Sequence, residues 1–116
     1  MKLSMLLPPK YDERKWKLAR QAGLNYAITK AMPSLSGKPA PYHYQALKSI
    51  KEEFNEAGFQ LYGLEGDQFD ITPIKLGLEK RDESIEKYQQ MIQNMGELDI
   101  DLHCYNFMAS IGWFRT

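Results

Sequence analysis

Short apolar segments alternate with longer amphipathic segments along the chain, and this alternation limits the folds that it can adopt. The apolar segments, each short enough for a strand, are residues 2–7, 24–29, 59–65 and 100–107. The resulting order is strand, helix, strand, helix, strand, helix, strand, and each crossover is long enough to connect parallel strands. The sequence therefore predicts an α/β fold with a parallel sheet, in one domain over residues 1–116.

Capping and stop signals mark where the three predicted helices begin and end. Asp12 is a suitable N-cap for the first helix, and Gly23 lies where that helix needs a left-handed stop. The second helix begins at Tyr44 and ends at Gly58, and the third opens at Arg81. The residues expected on the buried faces are Trp16 and Ala19, then Leu47, Ile50, Phe54 and Ala57, then Ile85, Tyr88, Ile92 and Met95.

The loops are distributed unevenly between the two ends of the predicted strands. Residues 30–41 contain three prolines and a glycine, and residues 66–77 form a second aperiodic segment, so we expect both to be irregular. The helix-to-strand connections after Gly23 and Gly58 have almost no linker. A TIM barrel has this asymmetry, because its functional loops follow the carboxyl ends of the strands.

Two architectures fit this order of elements: an open sheet with helices on both faces, and half of an eight-stranded barrel. The absence of a glycine-rich phosphate loop at any strand-to-helix turn disfavours a nucleotide-binding open sheet. A complete TIM (β/α)8 barrel takes about 250 residues, so the sequence predicts its N-terminal half. Such a chain is either incomplete or closes its sheet with a second copy, and we expect a homo-oligomer.

The balance of charges excludes several classes of partner. Fifteen basic and fifteen acidic residues cancel, so no net field attracts a nucleic acid or an anionic membrane. Pro8 and Pro9 end the apolar start of the chain too early for a secretory signal, and no other segment is long enough to cross a bilayer. A single cysteine is typical of a reducing compartment. We therefore expect a cytoplasmic protein without nucleic-acid or membrane partners.

Two carboxylates, separated by one glycine, lie at the end of the third predicted strand. Glu65 and Asp67 are close enough along the chain to bind a metal or to act as acid and base. Leu61, Gly63 and Glu65 alternate onto one strand face, so we expect Glu65 to face the mouth of the barrel. Helix capping or simple solvation is the alternative role for both carboxylates.

The fourth predicted strand leads into a second group of candidates. The amide of Asn106 is expected to face the same mouth as Glu65, or else to satisfy backbone groups at the strand end. Trp113 and Arg115 are expected to contact a carboxylate substrate, the first by stacking and the second by an ion pair. The alternative is that both belong to a loop that packs over the rim of the barrel.

The spacing of the two histidines and the cysteine does not predict a metal site or a catalytic site. His103 and Cys104 are adjacent and face opposite sides of a regular strand, so they cannot chelate one metal together. We expect Cys104 to be a small core residue. His43 lies at a helix entrance and is expected to be a surface or capping group.

Three short motifs of the chain resemble the mannonate dehydratase family. They are Cys104-Tyr105-Asn106-Phe107-Met108, Trp113-Phe114-Arg115-Thr116, and Ile74-Lys75-Leu76-Gly77-Leu78 followed by Arg81-Asp82. The resemblance implies a barrel of the xylose isomerase-like type. It also implies a lyase that uses Mn²⁺ or Fe²⁺ to dehydrate D-mannonate to 2-keto-3-deoxygluconate in hexuronate (glucuronate) catabolism.

The resemblance assigns few site residues to this chain. Glu65, Asn106, Trp113 and Arg115 carry over as substrate-binding positions, while no catalytic residue can be assigned. The metal ligands of the family lie on later strands, so the resemblance implies no metal ligand in this segment. The 116 residues alone are therefore expected to be inactive.

Three departures from the family pattern fall near the predicted site. Ala109, Gly112 and Phe114 stand where the family carries Pro, Asp and Thr. These departures leave open a different sugar acid as substrate, or a divergent sugar isomerase or epimerase. A non-catalytic half-barrel that pairs with another chain is the remaining alternative.

Overall fold

Four parallel strands lie side by side in the same order as they follow along the chain. The computed structural model describes residues 1–109. The strands are β1 (Ser4–Leu6), β2 (Tyr26–Thr29), β3 (Gln60–Glu65) and β4 (Leu102–Cys104). The helices are α1 (Glu13–Gln21), α2 (Pro33–Ser36), α3 (Tyr44–Glu56), α4 (Thr72–Leu76) and α5 (Arg81–Glu97). None of these helices is long and apolar enough to cross a membrane.

The strand order distinguishes the two architectures that the sequence left open. A doubly wound open sheet reverses its strand order at a switch point, and it thereby places helices on both faces. Here the order β1-β2-β3-β4 has no reversal, and all three pairings are parallel. Because parallel crossovers are right-handed, the connecting helices lie on one face, as they do in a barrel. The prediction of half a TIM barrel is confirmed.

The two faces of the sheet differ sharply in burial. On the face that carries the helices, Ala27 pairs with Leu61 and Thr29 with Leu64, and all four are fully buried. The opposite face, called the inner face below, contains Leu6, whose side chain is 55% exposed. At the amino end of the inner face, the Lys2 ammonium lies over two tyrosine rings, those of Tyr26 and Tyr62.

A register shift in β3 corrects one part of the predicted strand alternation. Ala27 pairs with Leu61 but Ile28 pairs with Gly63, so Tyr62 is an extra residue in the ladder. Leu61 therefore lies on the helix face, and it does not share the face of Gly63 and Glu65 as the simple alternation predicted. The prediction failed because a bulge changes which residues share a face.

Caps and aromatic contacts fix the helices as the sequence indicated. The Asp12 carboxylate accepts a hydrogen bond from the Lys15 backbone N–H at 2.9 Å, which makes Asp12 the N-cap of α1. Gly23 and Gly58 adopt the left-handed conformation just beyond the ends of α1 and α3. Trp16 of α1 stacks on Phe54 of α3, with ring centroids 4.2 Å apart. This contact joins the first two long helices.

Both segments that were predicted to be irregular contain a short helix. Pro33 and Pro73 each lie in the first turn of their helix, α2 and α4 respectively, where a missing N–H costs nothing. Gly37 and Gly77 end these helices in the left-handed conformation. The prediction was wrong because proline and glycine were treated only as breakers, whereas here they begin and end a helical turn.

The buried face of α5 also differs from the prediction. Met95 is buried as expected, but Ile92 is 50% exposed and Asn94 is 1% exposed. The Asn94 amide group donates to the backbone oxygens of Pro41 and Tyr42, both at 3.0 Å. This polar side chain faces the core because the chain before α3 leaves two carbonyl groups that need donors.

Substitution of Gly63 tests how closely β3 and β4 approach on the inner face. A Cβ at Gly63 would lie 2.8 Å from both the Cβ and the backbone oxygen of Leu102, so Gly63→Ala forces the two strands apart. We expect the free energy of unfolding, measured in urea, to fall by about 1–3 kcal/mol.

The matched control for this substitution is Gly96→Ala. Gly96 lies within α5 with open space around it, so alanine there should raise the free energy of unfolding by about 0.5–1 kcal/mol. Equal effects of the two substitutions would show that the approach of Leu102 to Gly63 is unimportant.

Candidate functional site

The carboxyl ends of β1, β2 and β3 surround a cavity of about 460 Å³, called the mouth cavity below. Its wall is largely apolar, and three charged side chains reach it. The lining residues are Met5, Leu6, Leu7, Pro8, Pro9, Lys15, Lys30, Leu35 and Glu65. In a parallel α/β fold, ligands bind at this edge of the sheet, so the mouth cavity is the candidate binding site.

Glu65 is the last residue of β3 and lines the mouth cavity, as its place in the sequence predicted. It pairs in register with Cys104, and the next backbone N–H, that of Gly66, donates to the Cys104 oxygen at 2.8 Å. Among residues 1–109, its carboxylate has no side-chain hydrogen bond or ion pair. The carboxylate is therefore available to a ligand.

The buried amide of Gln68 ties together the two loops that flank the mouth cavity. Its Oε1 accepts from the Ala31 backbone N–H at 2.7 Å, and its Nε2 donates to the oxygens of Glu65 and Gly66 at 2.8 Å each. The side chain is 2% exposed. Gln68 thus fixes the backbone after β2 relative to the backbone after β3, which sets the position of Glu65.

Asp67 does not join Glu65 as a second free carboxylate. Its Oδ2 lies 2.6 Å from the Lys75 ammonium, and the Lys75 side chain is only 6% exposed. The ion pair holds α4 against the loop after β3. Since removing one partner of a buried pair leaves an uncompensated charge, Asp67 is best explained as a structural residue.

Asn106 lies at a different cavity from Glu65. It lines a space of about 430 Å³ beside α5, called the side cavity below. The lining residues are Ile71, Ile74, Ile85, Tyr88, Gln89, Ile92, His103, Tyr105, Asn106 and Phe107. The predicted alternation does not reach Asn106, because β4 ends at Cys104. The structure does not bring Asn106 and Glu65 to one cavity, and a substrate contact by Asn106 stays a prediction.

His103 and Cys104 face opposite sides of β4, but neither has the environment of a metal ligand. His103 lies on the helix face, where its Nε2 is 2.5 Å from the Tyr88 hydroxyl. Cys104 is exposed, so its prediction as a core residue was wrong: β4 is an edge strand, and among the described residues nothing covers its inner face there.

Burial shifts the pKa values of the His103–Tyr88 pair in opposite directions. Loss of solvent lowers the pKa of His103, because the protonated imidazole is less well solvated there than in water. Loss of solvent, together with the nearby Asp67 carboxylate, raises the pKa of the Tyr88 hydroxyl. Both groups are therefore held neutral at neutral pH, as a buried hydrogen-bonded pair requires.

Of the remaining predicted residues, one lies at the surface and two lie outside residues 1–109. His43 is exposed at the start of α3, which agrees with its prediction as a surface group. Trp113 and Arg115 lie outside residues 1–109, so their predicted contacts are not placed by the structure. Within those residues, no three His, Cys, Asp or Glu side chains gather closely enough to hold a metal ion.

Sequence reasoning missed two residues at this edge of the sheet: Lys30, which lines the mouth cavity, and Gln68, which fixes the backbone beside it. Lys30 follows β2 directly and Gln68 lies three residues beyond β3, so both occupy the carboxyl edge where barrels place their sites. The position of Lys30 directly after a predicted strand was therefore enough to identify it as a candidate site residue. The role of Gln68 depends on a backbone N–H 37 residues away, which no local pattern reveals.

Substitution of Gln68 tests whether its amide holds the two loops together. Gln68→Leu leaves one buried N–H and two carbonyl oxygens without their partner, so the free energy of unfolding should fall by about 2–4 kcal/mol. Chemical denaturation measures the loss. Gln45→Leu on the exposed side of α3 serves as control and should change stability by less than about 0.5 kcal/mol. Similar values for both variants would contradict the role given to Gln68.

The lowered pKa of His103 predicts how stability depends on pH. The folded chain binds a proton at His103 less tightly than the unfolded chain, so its contribution is complete above the unfolded pKa of about 6.5. That contribution is lost as the pH falls from there through the folded pKa. Between about pH 7.5 and about pH 5.5, the wild-type chain should lose more unfolding free energy than His103→Gln.

The control for this pH experiment is Gln45→Leu on the exposed side of α3. This variant leaves His103 and Tyr88 in place, so it should keep the wild-type pH dependence. Identical pH profiles for the wild type and His103→Gln would show that His103 does not couple protonation to folding.

Comparison with known proteins places the chain in one family. A family model described as D-mannonate dehydratase (UxuA) matches residues 9–116. A mannonate dehydratase of Brachyspira hyodysenteriae is 35% identical over 107 residues, which cover 91% of this chain and 29% of that relative. A mannonate dehydratase of Lactococcus lactis subsp. cremoris is 32% identical over 100 residues, or 86% of this chain and 27% of the relative.

A solved structure shows the same likeness in three dimensions. The crystal structure of mannonate dehydratase from Streptococcus suis serotype 2 superposes with a TM-score of 0.80 at 26% identity, over 99% of this chain and 32% of that chain. The chain thus spans less than a third of the length of the relatives that it matches. Because the likeness extends over nearly all of its residues in sequence and in structure, the chain belongs to the D-mannonate dehydratase (UxuA) family.

Proposed function

We propose that the protein which carries this chain dehydrates D-mannonate, a six-carbon sugar acid, to 2-keto-3-deoxygluconate and water. The match of the family model to residues 9–116 is the observation that carries the proposal. The relatives bear the name mannonate dehydratase, and the fold places a cavity at the edge of the sheet where barrel enzymes bind substrate. The reaction class is that of a hydro-lyase.

The residues of this chain contribute substrate binding to the proposed reaction. The free carboxylate of Glu65 suits the hydroxyl groups of a sugar acid, because an ionised carboxylate accepts several hydrogen bonds. The apolar wall around it, formed in part by Leu6 and Leu35, suits the C–H groups of the carbon chain. Asn106, Trp113 and Arg115 are proposed as further substrate contacts on the strength of the family motifs alone.

The cofactor proposed for the whole protein is Mn²⁺ or Fe²⁺. Residues 1–109 do not fit a metal site, since they bring no three ligating side chains together, so none of them is given a ligand role. Their part in the proposed reaction is to bind and orient the sugar acid.

The cellular setting and the assembly complete the proposal. We propose glucuronate catabolism in the cytoplasm as the setting, on the basis of the family motifs and the single cysteine of the sequence. A homo-oligomer is part of the proposal: β1 and β4 each have only one neighbouring strand among the described residues, and either further strands of the protein or a second copy must pair with these edges. Sedimentation of the purified natural protein measures its assembly, and a monomer at micromolar concentration would contradict a homo-oligomer.

A dehydration assay with D-mannonate tests the proposed function, and Glu65→Gln tests the site. With Mn²⁺ or Fe²⁺ supplied, the natural protein should form the keto acid, which is measured through its carbonyl group. Glu65→Gln keeps the shape of the side chain but removes its charge, so kcat/KM should fall about 10- to 100-fold.

The matched control is Glu56→Gln at the exposed end of α3, at the opposite edge of the sheet. It makes the same chemical change and should leave kcat/KM at the wild-type value. Absence of keto acid with either metal would overturn the proposed reaction. Turnover by Glu65→Gln at the wild-type rate would keep the reaction but remove Glu65 from the site.

A further inference from the structure

We infer that Lys30 binds the carboxylate group of the substrate through its ammonium group. Lys30 belongs to none of the family motifs, and it was not among the residues that the sequence pointed to. The inference rests on the proposed function for the location of the site. It goes beyond that function by naming the residue that recognises the acid group.

The backbone on both sides of Lys30 is fixed by buried hydrogen bonds. The preceding residue, Thr29, is fully buried, and its hydroxyl donates to the Leu7 oxygen at 2.7 Å. The following residue, Ala31, is also fully buried, and its N–H donates to the Gln68 amide oxygen at 2.7 Å. Lys30 is therefore held at one position on the edge of the sheet, as a recognition residue must be.

The Lys30 side chain extends over the end of β3. Its Nζ would lie 3.7 Å from a Cβ placed on Gly66, so the ammonium group is close to the backbone that follows Glu65. Gly66 has a φ of +75°, the left-handed conformation that favours glycine. Lys30 and Glu65 line the same cavity, but their charged atoms are more than 4.0 Å apart.

The charge of Lys30 is not compensated by any described residue. The other partly buried lysines near loops are paired: Lys75 with Asp67 at 2.6 Å, and Lys38 with Glu53 at 2.7 Å. No carboxylate among residues 1–109 forms an ion pair with Lys30, although its side chain is half-buried beside an apolar wall. An ammonium group in such a place is stabilised by an anion that enters the cavity.

The balance of charges in the mouth cavity indicates the kind of anion. Among the described residues that line it, two ammonium groups, those of Lys15 and Lys30, and one carboxylate, that of Glu65, leave a net charge of one positive unit. A monocarboxylate neutralises this charge, whereas a phosphate dianion would exceed it and be repelled by Glu65. Lys30 then binds the acid group and Glu65 accepts hydrogen bonds from hydroxyl groups. The cavity of about 460 Å³ lies within the usual range for small ligands.

Steady-state kinetics of the natural protein with D-mannonate test this assignment. Lys30→Met removes the charge and keeps the length of the side chain, so KM should rise about 10- to 100-fold while kcat changes little. Lys30→Arg restores a positive charge and should recover part of the affinity. Thermal unfolding of each variant confirms that the fold is kept.

Lys10→Met is the matched control. Lys10 is exposed and does not line the mouth cavity, so this variant has the same loss of net charge without the contact. Its KM should stay within about twofold of the wild-type value at physiological salt, where distant charges are screened. An equal rise of KM in Lys10→Met and Lys30→Met would reduce the effect to general electrostatics and overturn the assignment.

Two further results would overturn it. One is a wild-type KM in Lys30→Met. The other is a rise of KM in Arg115→Met alone, which would show that Arg115 and not Lys30 binds the substrate carboxylate.

Binding measurements separate this inference from the proposed reaction: calorimetry compares D-mannonate with D-mannitol, its neutral polyol counterpart. If D-mannonate binds but is not dehydrated, a loss of its binding in Lys30→Met still supports Lys30. Equal affinity for the acid and the polyol contradicts Lys30 even if the reaction occurs.

Discussion

The fold depends on one apolar layer between the sheet and the long helices. Because the strands follow chain order without a reversal, α1, α3 and α5 must all cover the same face, and they do so around one cluster of buried side chains. The stack of Trp16 on Phe54 lies at the centre of this layer. Among the described residues the opposite face is then left without helices, and buried polar side chains such as Gln68 and Asn94 hydrogen-bond to backbone groups.

This one-sided burial also explains why the site lies where it does. Loops after β2 and β3 return along the carboxyl edge of the sheet, where their backbone groups need partners that the ladder no longer supplies. Gln68 supplies three of these partners from a single buried side chain. A residue that hydrogen-bonds to the backbone of two loops fixes their separation, and it thereby sets the positions of Lys30 and Glu65 in the wall of the mouth cavity.

Sequence patterns predicted features that depend on one helix or strand alone. They did not predict features that depend on contacts with a neighbouring element. The cap at Asp12 and the stops at Gly23 and Gly58 require only local geometry, so the sequence was sufficient to predict them. The bulge at Tyr62 depends on how β3 meets β2, and the burial of Asn94 depends on two carbonyl groups more than fifty residues away. Tertiary contacts of this kind override periodicity, because an unpaired buried carbonyl costs more than an exposed isoleucine.

The contrast between Glu65 and Asp67 shows what separates a binding residue from a structural one. Glu65 ends β3 and Asp67 lies two residues later in the loop, and because both carry a carboxylate the sequence predicted them as a pair. Lys75 binds Asp67 in a largely buried contact, while among the described residues no cation has formed an ion pair with Glu65. The same distinction separates Lys30 from Lys75. A charged group can recognise a ligand only if the fold positions it without neutralising it. Lys30 and Glu65, which line the mouth cavity, meet this condition among the described residues.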